Sequence, residues 1–214
     1  MNRILFLIMT SVVLLSGCQS KEEKAAELIK DELSKTLYDF DSYQPIETIV
    51  IEAKANAYND SACWRRGAAL AYGMQKMVEY INQASEAKDH MDIWGEPSYY
   101  SSSYSDRQYY KYKRERDEAM DKAQQVGLLC KNIASEIKDS VSYLDTTMVI
   151  GWEVSHRFRC KTRGGNSTIG DYRYIIDKDF KNVLLREDLD DDDDKHVREA
   201  IESALSDFWE TLTL

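Results

Sequence analysis

The chain has 214 residues, and its 28 lysines and arginines against 38 aspartates and glutamates give a formal net charge of −10. An acidic chain gains no net counterion release on binding nucleic acid or an anionic surface, so we expect no nucleic-acid partner. Only two prolines and nine glycines occur, which argues against a disordered chain and against a loop-rich β architecture.

The first eighteen residues have the pattern of an export signal. Arg3 is their only charged residue, Ile4 to Leu15 is apolar apart from Thr10 and Ser11, and small residues then precede Cys18. This order is typical of a cleaved secretory signal, and the apolar run is shorter than the ~20 residues of a membrane-spanning helix. An ordinary signal followed by a chance cysteine is the alternative.

The residues Leu15-Ser16-Gly17-Cys18 resemble the lipobox of bacterial lipoproteins. The resemblance implies a signal peptide over residues 1–17, diacylation of Cys18 and a new acylated amino terminus, with fatty chains such as palmitate; two or more chains make a stable anchor. Gln19 in place of Asp argues against inner-membrane retention by the rule known for enteric bacteria. Lys21-Glu22-Glu23 is similar to the surface-export signals of Bacteroidota lipoproteins. The expected location is the outer membrane, lipid-anchored, on its periplasmic or surface-exposed side.

The mature chain, residues 18–214, is long enough for one domain with a core. Residues at three- and four-residue spacing predict helices over 21–38, 62–88, 106–138 and 193–212. Alternating or β-branched patterns predict strands over 46–53, 150–160, 168–176 and 182–186. Residues 39–45 are expected to end the first helix and to form an irregular connection to the first strand. Residues 91–105 are expected to form a loop.

These elements predict an α+β domain. It contains an antiparallel β-meander of three to four strands (145–187), flanking helices that include the C-terminal one (193–212), and an inserted antiparallel helical hairpin (62–138). The stretch GWEVSHRFRCKTRGGNSTIGDYRYIIDKDF (151–180) is similar to small, uncharacterised outer-envelope lipoproteins of Bacteroidota, in which a helix, a strand and a meander recur. That resemblance implies location and fold, and no activity.

Cys63, Cys130 and Cys160 remain once Cys18 carries lipid. Because the envelope is oxidising, we expect one disulfide and one free thiol. Symmetry about the hairpin loop, with its midpoint near residue 97, favours a Cys63–Cys130 disulfide. The alternative is three buried free thiols.

The segment from Met91 to Tyr112 contains Trp94 and six of the fourteen tyrosines, with serines between them. Recognition loops use tyrosine for rigid aromatic area and serine for adaptable hydrogen bonds. We therefore expect a binding tip for a protein or glycan partner, formed by Trp94, Tyr99, Tyr100 and Tyr104. The alternative is a flexible or self-packed connection.

An acidic run near the C-terminus places Asp188, Asp190, Asp192 and Glu199 at positions 1, 3, 5 and 12 of a calcium-loop template. Position 6, which should be glycine, is Asp193, and the template's preceding helix is replaced by a strand. We expect a solvated turn whose last aspartate caps the final helix, with no metal bound.

No catalytic motif stands out, and no cofactor is expected. His90, His156 and His196 share no metal-type spacing, and His156 lies on the inward face of its strand, which favours a hydrogen-bonded core histidine. The chain has neither a nucleophile elbow nor a glycine-rich phosphate loop. The expectation is a non-enzymatic binding protein; the alternative is an envelope hydrolase, or its accessory subunit, that uses unidentified carboxylates.

Overall fold

The computed structural model describes residues 19–100 and 102–211 of the chain. Its helices are α1 (Lys21–Thr36), α2 (Ser61–Trp94), α3 (Ser103–Ser142), α4 (Asp192–Leu205) and the short α5 (Phe208–Thr211). Its strands are β1 (Asp39–Lys54), β2 (Val149–Lys161), β3 (Ser167–Asp177) and β4 (Val183–Asp188). The predicted α+β fold class is confirmed. The signal segment and Cys18 lie outside the described residues.

The chain divides into two compact units. The first runs up to Ala53 and resumes over Val149–Asp190, and the second comprises Lys54–Met148 and the chain from Asp191 onward. The first unit therefore contains α1 and the sheet, and the second contains the helical hairpin, α4 and α5.

The first unit is an antiparallel meander in the order β1-β2-β3-β4, with α1 on one face. A capping box starts α1, because the Ser20 hydroxyl accepts from the Glu23 N–H while the Glu23 carboxylate accepts from the Ser20 N–H. The helix and the sheet share one apolar core, whose fully or nearly fully buried members are Ala25, Ile29, Leu33, Val154, Phe158, Cys160, Tyr174 and Ile176. Each large side chain in it contributes roughly 1.5–3 kcal/mol of burial free energy.

Strand β1 begins seven residues earlier than predicted, at Asp39. Its first half contains Asp, Ser and Pro, which usually break strands, but Pro45 is tolerated because β1 is an edge strand. The side chains of Tyr43 and Thr48 both reach His156, although five positions apart would put them on opposite faces of a regular strand. The alternation of side chains between the two faces of β1 therefore shifts by one residue near Pro45, as at a β-bulge.

On the sheet face opposite α1, Arg173 lies between two carboxylates. Its guanidinium is 2.9 Å from Glu187 on β4 and 3.3 Å from Glu153 on β2. Arg173 is 7% and Glu187 2% exposed, so this charge network is buried and crosses three strands.

The second unit is built on the antiparallel pair α2 and α3, against which α4 packs. Most buried residues of these two helices are small, so the helix axes can approach closely; they include Ala84, Ala87, Ala119, Ala123, Gly127 and Ala134. A Cβ on Gly67 would lie 2.6 Å from the Ile201 Cγ1 atom, which shows that α4 crosses α2 directly over this glycine.

Three side-chain contacts define the register of the hairpin. Tyr80 meets Lys122, His90 stacks on Tyr112, and Arg66 is paired with Glu136. The residue numbers in each pair add to 202, so the hairpin is centred near residue 101.

The expected disulfide between Cys63 and Cys130 is absent: both are buried free thiols, as is Cys160. The observed register places Cys130 against Gly73, ten residues along α2 from Cys63. That separation is about 15 Å along a helix, beyond the reach of a disulfide. The expectation was wrong because it set the centre of the hairpin near residue 97.

The C-terminal helix is shorter than predicted. Asp191 caps α4 by accepting from the Asp193 N–H, so an aspartate does cap the helix, but it precedes the last aspartate of the run. The helix ends at Leu205, and Ser206 and Asp207 separate it from α5.

Candidate functional site at the hairpin tip

The loop joining α2 and α3 is short and well capped. Gly95 ends α2 at a φ of 67°, where its N–H bonds to the Met91 carbonyl, and glycine adopts this left-handed conformation without strain. Ser102 starts α3 by accepting from the Ser105 N–H. The predicted loop over 91–105 is thus reduced to 95–102, which fixes the helix ends on both sides of the tip.

The side chains of two tyrosines in this loop are almost completely exposed to solvent. Tyr99 is 97% and Tyr100 93% exposed, and their rings meet edge to face with centroids 5.5 Å apart. Both rings are therefore accessible to a partner. Together they offer two rigid apolar rings, each with a hydroxyl for a partner's hydrogen-bonding groups.

Trp94 and Tyr104 form the base of the tip. Trp94 is the last residue of α2 and Tyr104 the second of α3, and their rings make a T-shaped contact at 5.5 Å. Trp94 is half-buried, whereas Tyr104 and the neighbouring Ile93 are exposed. The structure therefore brings the four predicted residues to one end of the hairpin in two pairs. We call Ile93, Trp94, Tyr99, Tyr100 and Tyr104 the aromatic tip.

Below the tip lies a polar groove that the sequence analysis did not identify. The His90 ring on α2 stacks on the Tyr112 ring on α3 with centroids 4.5 Å apart, and both rings line a cleft of about 380 Å³. The cleft is lined by Gln83, Glu86, Ala87, His90, Tyr112, Glu115, Glu118, Ala119 and Lys122. The groove could not be predicted from local sequence, because its two walls are about thirty residues apart and only the hairpin register brings them together.

His156 is the hydrogen-bonded core histidine that the sequence predicted. It is fully buried, with Nε2 2.9 Å from the Tyr43 hydroxyl and Nδ1 2.9 Å from the Thr48 hydroxyl. Burial lowers the pKa of His156 to about 4. It is therefore neutral at neutral pH and acts as a structural link between β1 and β2.

The three described cysteines have no activated thiol among them. Burial raises the pKa of Cys63 to about 11 and raises those of Cys130 and Cys160 as well. Because the thiolate is the nucleophilic form, these side chains behave as small apolar groups.

The four residues of the calcium template do not assemble into a metal site. The Asp188 carboxylate accepts from the Asp190 N–H, while Asp192 lies in the first turn of α4, paired with Lys195, and Glu199 lies on α4 in a groove with His196. Within the described ranges, no group of three or more His, Cys, Asp or Glu side chains is arranged to hold a metal ion.

The carboxyl groups of Asp145 and Asp177 have lowered pKa values. Hydrogen bonds from Thr147 lower the pKa of Asp145, and bonds from Lys181 and Asn182 outweigh burial to lower that of Asp177. Both are turn carboxylates stabilised in the ionised form, unlike a general acid, which needs a raised pKa.

None of the described helices is long and apolar enough to cross a membrane. Comparison with protein-family models, with curated proteins and with solved structures finds no match.

Proposed function

We propose that the chain is a non-enzymatic lipoprotein of the bacterial envelope that binds a protein partner through the aromatic tip. The lipobox Leu15-Ser16-Gly17-Cys18 supports the anchor, and its attachment to the outer membrane places the tip in the periplasm or at the cell surface. The observation that carries the binding role is the near-complete exposure of Tyr99 and Tyr100.

Exposed aromatic rings on a short, well-capped loop favour recognition. Burying such rings in a partner returns their hydrophobic free energy, and the helix caps at Gly95 and Ser102 limit the conformational freedom that binding must remove. Tyrosine and tryptophan dominate the energetics of protein interfaces for this reason. The convex end of a helical hairpin fits a groove on a protein better than it cradles a sugar, because small-ligand sites are concave.

The partner can be identified by crosslinking in intact cells. A photoreactive residue at Glu96, which is exposed beside the tip, should link to one envelope protein. The double variant Tyr99→Ser/Tyr100→Ser should lose that link. The matched control is Tyr143→Ser, since Tyr143 is 88% exposed but lies at the far end of α3.

An unchanged link in the tip variant would refute the proposed binding surface. A link lost equally in the Tyr143 control would show that the tip is not specific. Binding of the purified protein to a glycan array, lost in the tip variant, would favour a glycan ligand instead. The anchor is tested separately by mass spectrometry of the native protein, which should show acyl chains on Cys18.

The alternative function, an envelope hydrolase or its accessory subunit, needs a pair of carboxylates in catalytic geometry. No specific observation on the described residues favours such a pair over the many exposed carboxylates.

A further inference from the structure

We propose that the outer edge of β1 binds a second copy of this chain, so that two four-stranded sheets join through an antiparallel β1–β1 pair. The interface would be the segment Ile46 to Lys54 of each copy. This surface is separate from the aromatic tip, and the inference does not depend on the tip's role.

The edge is open and apolar. β1 is the outermost strand of the sheet, and no other strand of the described chain pairs with its outer side. Its isoleucines are unusually accessible, with Ile46 51%, Ile49 49% and Ile51 55% exposed. A long edge with exposed apolar side chains is a template for pairing with another strand.

Backbone contacts in the sheet show which residues of β1 point outward. The Thr162 N–H bonds to the Asn166 carbonyl, so the even-numbered residues of β2 face β3 and the odd-numbered ones face β1. The Lys161 N–H agrees with this, since it reaches the Ser42 hydroxyl on β1.

One backbone contact at the end of β1 shows which of its residues face β2. The Ala55 N–H bonds to the Met148 carbonyl, so by alternation the backbones of the odd-numbered residues in this half of β1 are directed at β2. The backbones of Ile49 and Ile51 are thus engaged with β2, and those of Thr48, Val50 and Glu52 point to the open edge.

The sequence of this edge is complementary to itself. With a two-fold axis at Val50, whose backbone faces outward, Val50 pairs with its copy and Ile49 lies opposite Ile51 of the other copy, twice. The register brings four exposed isoleucines together, and such cross-strand apolar pairs stabilise a sheet. It also permits about ten backbone hydrogen bonds.

The charged residues and the proline near this edge are compatible with the register centred on Val50. Glu47 lies opposite Ala53 and Glu52 opposite Thr48, so no carboxylate faces another. Pro45 lies just outside the paired segment. An axis at Ile49 instead would place Glu47 opposite Ile51, which is less favourable. These features favour a second copy of this chain, and not a strand from another protein, as the binding partner of the β1 edge.

The test is cysteine crosslinking of the full-length protein in intact cells under mild oxidation. Cells that produce Ile49→Cys and Ile51→Cys variants together should give a disulfide-linked dimer, because these positions face each other across the axis without shared hydrogen bonds, where Cα atoms lie closest. Val50→Cys alone should also give a dimer. Leu184→Cys, an exposed position on the other edge strand β4, is the matched control and should remain monomeric.

A second variant separates pairing from folding. Ile49→Lys/Ile51→Lys places charge on exposed positions, and it should reduce the Val50→Cys dimer about tenfold or more without changing the circular dichroism spectrum. The control Ile81→Lys, on an exposed position of α2, should leave the dimer unchanged.

Three outcomes would overturn the proposal. The first is no dimer above the Leu184 control. The second is equal crosslinking of Ile49→Cys alone and of the mixed pair, which would contradict the register. The third is a crosslinked product heavier than the monomer but different from a dimer, which would show that a foreign strand occupies the edge.

Discussion

The buried imidazole of His156 lies 2.9 Å from the Tyr43 hydroxyl, and this contact joins the irregular half of β1 to β2. The second ring nitrogen meets Thr48 at the same distance. A neutral ring has one donor and one acceptor nitrogen, and each hydroxyl can serve either, so both bonds form without any charge. The pairing of the edge strand thus includes a group that titrates in mildly acidic solution.

The first prediction is a loss of stability in acid that depends on His156. Its pKa is about 4 in the folded protein and about 6.5 when unfolded, so between these values only the unfolded chain takes up the proton. The free energy of unfolding should therefore fall as the pH drops from 6.5 to 4, by on the order of 3 kcal/mol. Urea denaturation at pH 7, 5.5 and 4.5 measures this.

Other groups also titrate in this window, so the comparison between variants is decisive. His156→Gln should be less stable at pH 7 but should show a flatter dependence on pH. The control His90→Gln changes an exposed histidine and should keep the steep dependence. An equally steep curve for His156→Gln would contradict the assignment.

The second prediction concerns the buried charge network of Arg173. Arg173→Met leaves the 2% exposed Glu187 without its guanidinium, and removing one partner of a buried ion pair costs about 3–5 kcal/mol. The control Lys181→Met breaks an ion pair with Asp179 that is exposed on both sides and should change stability by less than about 1 kcal/mol. Equal effects of the two variants would show that burial of the network is unimportant.

Strong local patterns allowed the fold class and most elements to be predicted. Amphipathic spacing identified the four long helices, and alternation identified the meander, because both signals come from burial of one face. The first half of β1 was missed because Asp39 to Pro45 has breaker residues. Tertiary contacts override that preference there, through the bond from the Lys161 N–H to Ser42 and the contact of Tyr43 with His156.

The candidate site was predictable in composition but not in geometry. Tyrosine and serine content marked Tyr99 and Tyr100, whereas the contact of Trp94 with Tyr104 depends on where the two helices end. The groove at His90 and Tyr112 depends on the hairpin register. A shift of a few residues in the centre of the hairpin changes every pairing along it, and the sequence fixes that centre only loosely.

The third prediction tests that register through the cysteines. Gly73→Cys puts a second sulfur against Cys130, and under mild oxidation these two should form a disulfide while Cys63 remains a free thiol. Gly67→Cys is the control, because this α2 glycine faces Ile201 and should form no link to Cys130. Non-reducing peptide mapping distinguishes the outcomes, and a Cys63–Cys130 peptide in the unmodified protein would show that the register is wrong.

The fourth prediction concerns the crossing of α4 over α2. Gly67→Ala improves helix propensity by about 1 kcal/mol, but its Cβ would come 2.6 Å from Ile201, and overpacking costs about 1–3 kcal/mol. We expect a net loss of stability in thermal or urea denaturation. In an Ile201→Ala background the same change should be neutral or stabilising, because the two atoms closest to the added methyl group, Cγ1 and Cδ1 of Ile201, are then absent.

The coupling between these two positions is the measured quantity. A double-mutant cycle should give an interaction of about 1–3 kcal/mol, as for residues in direct contact. The control Ser85→Ala, at an exposed position of α2, should lie within about 0.5 kcal/mol of the parent in both backgrounds. Additive effects of Gly67→Ala and Ile201→Ala would mean that α4 does not rest on Gly67, and the packing of the second unit would then need another arrangement.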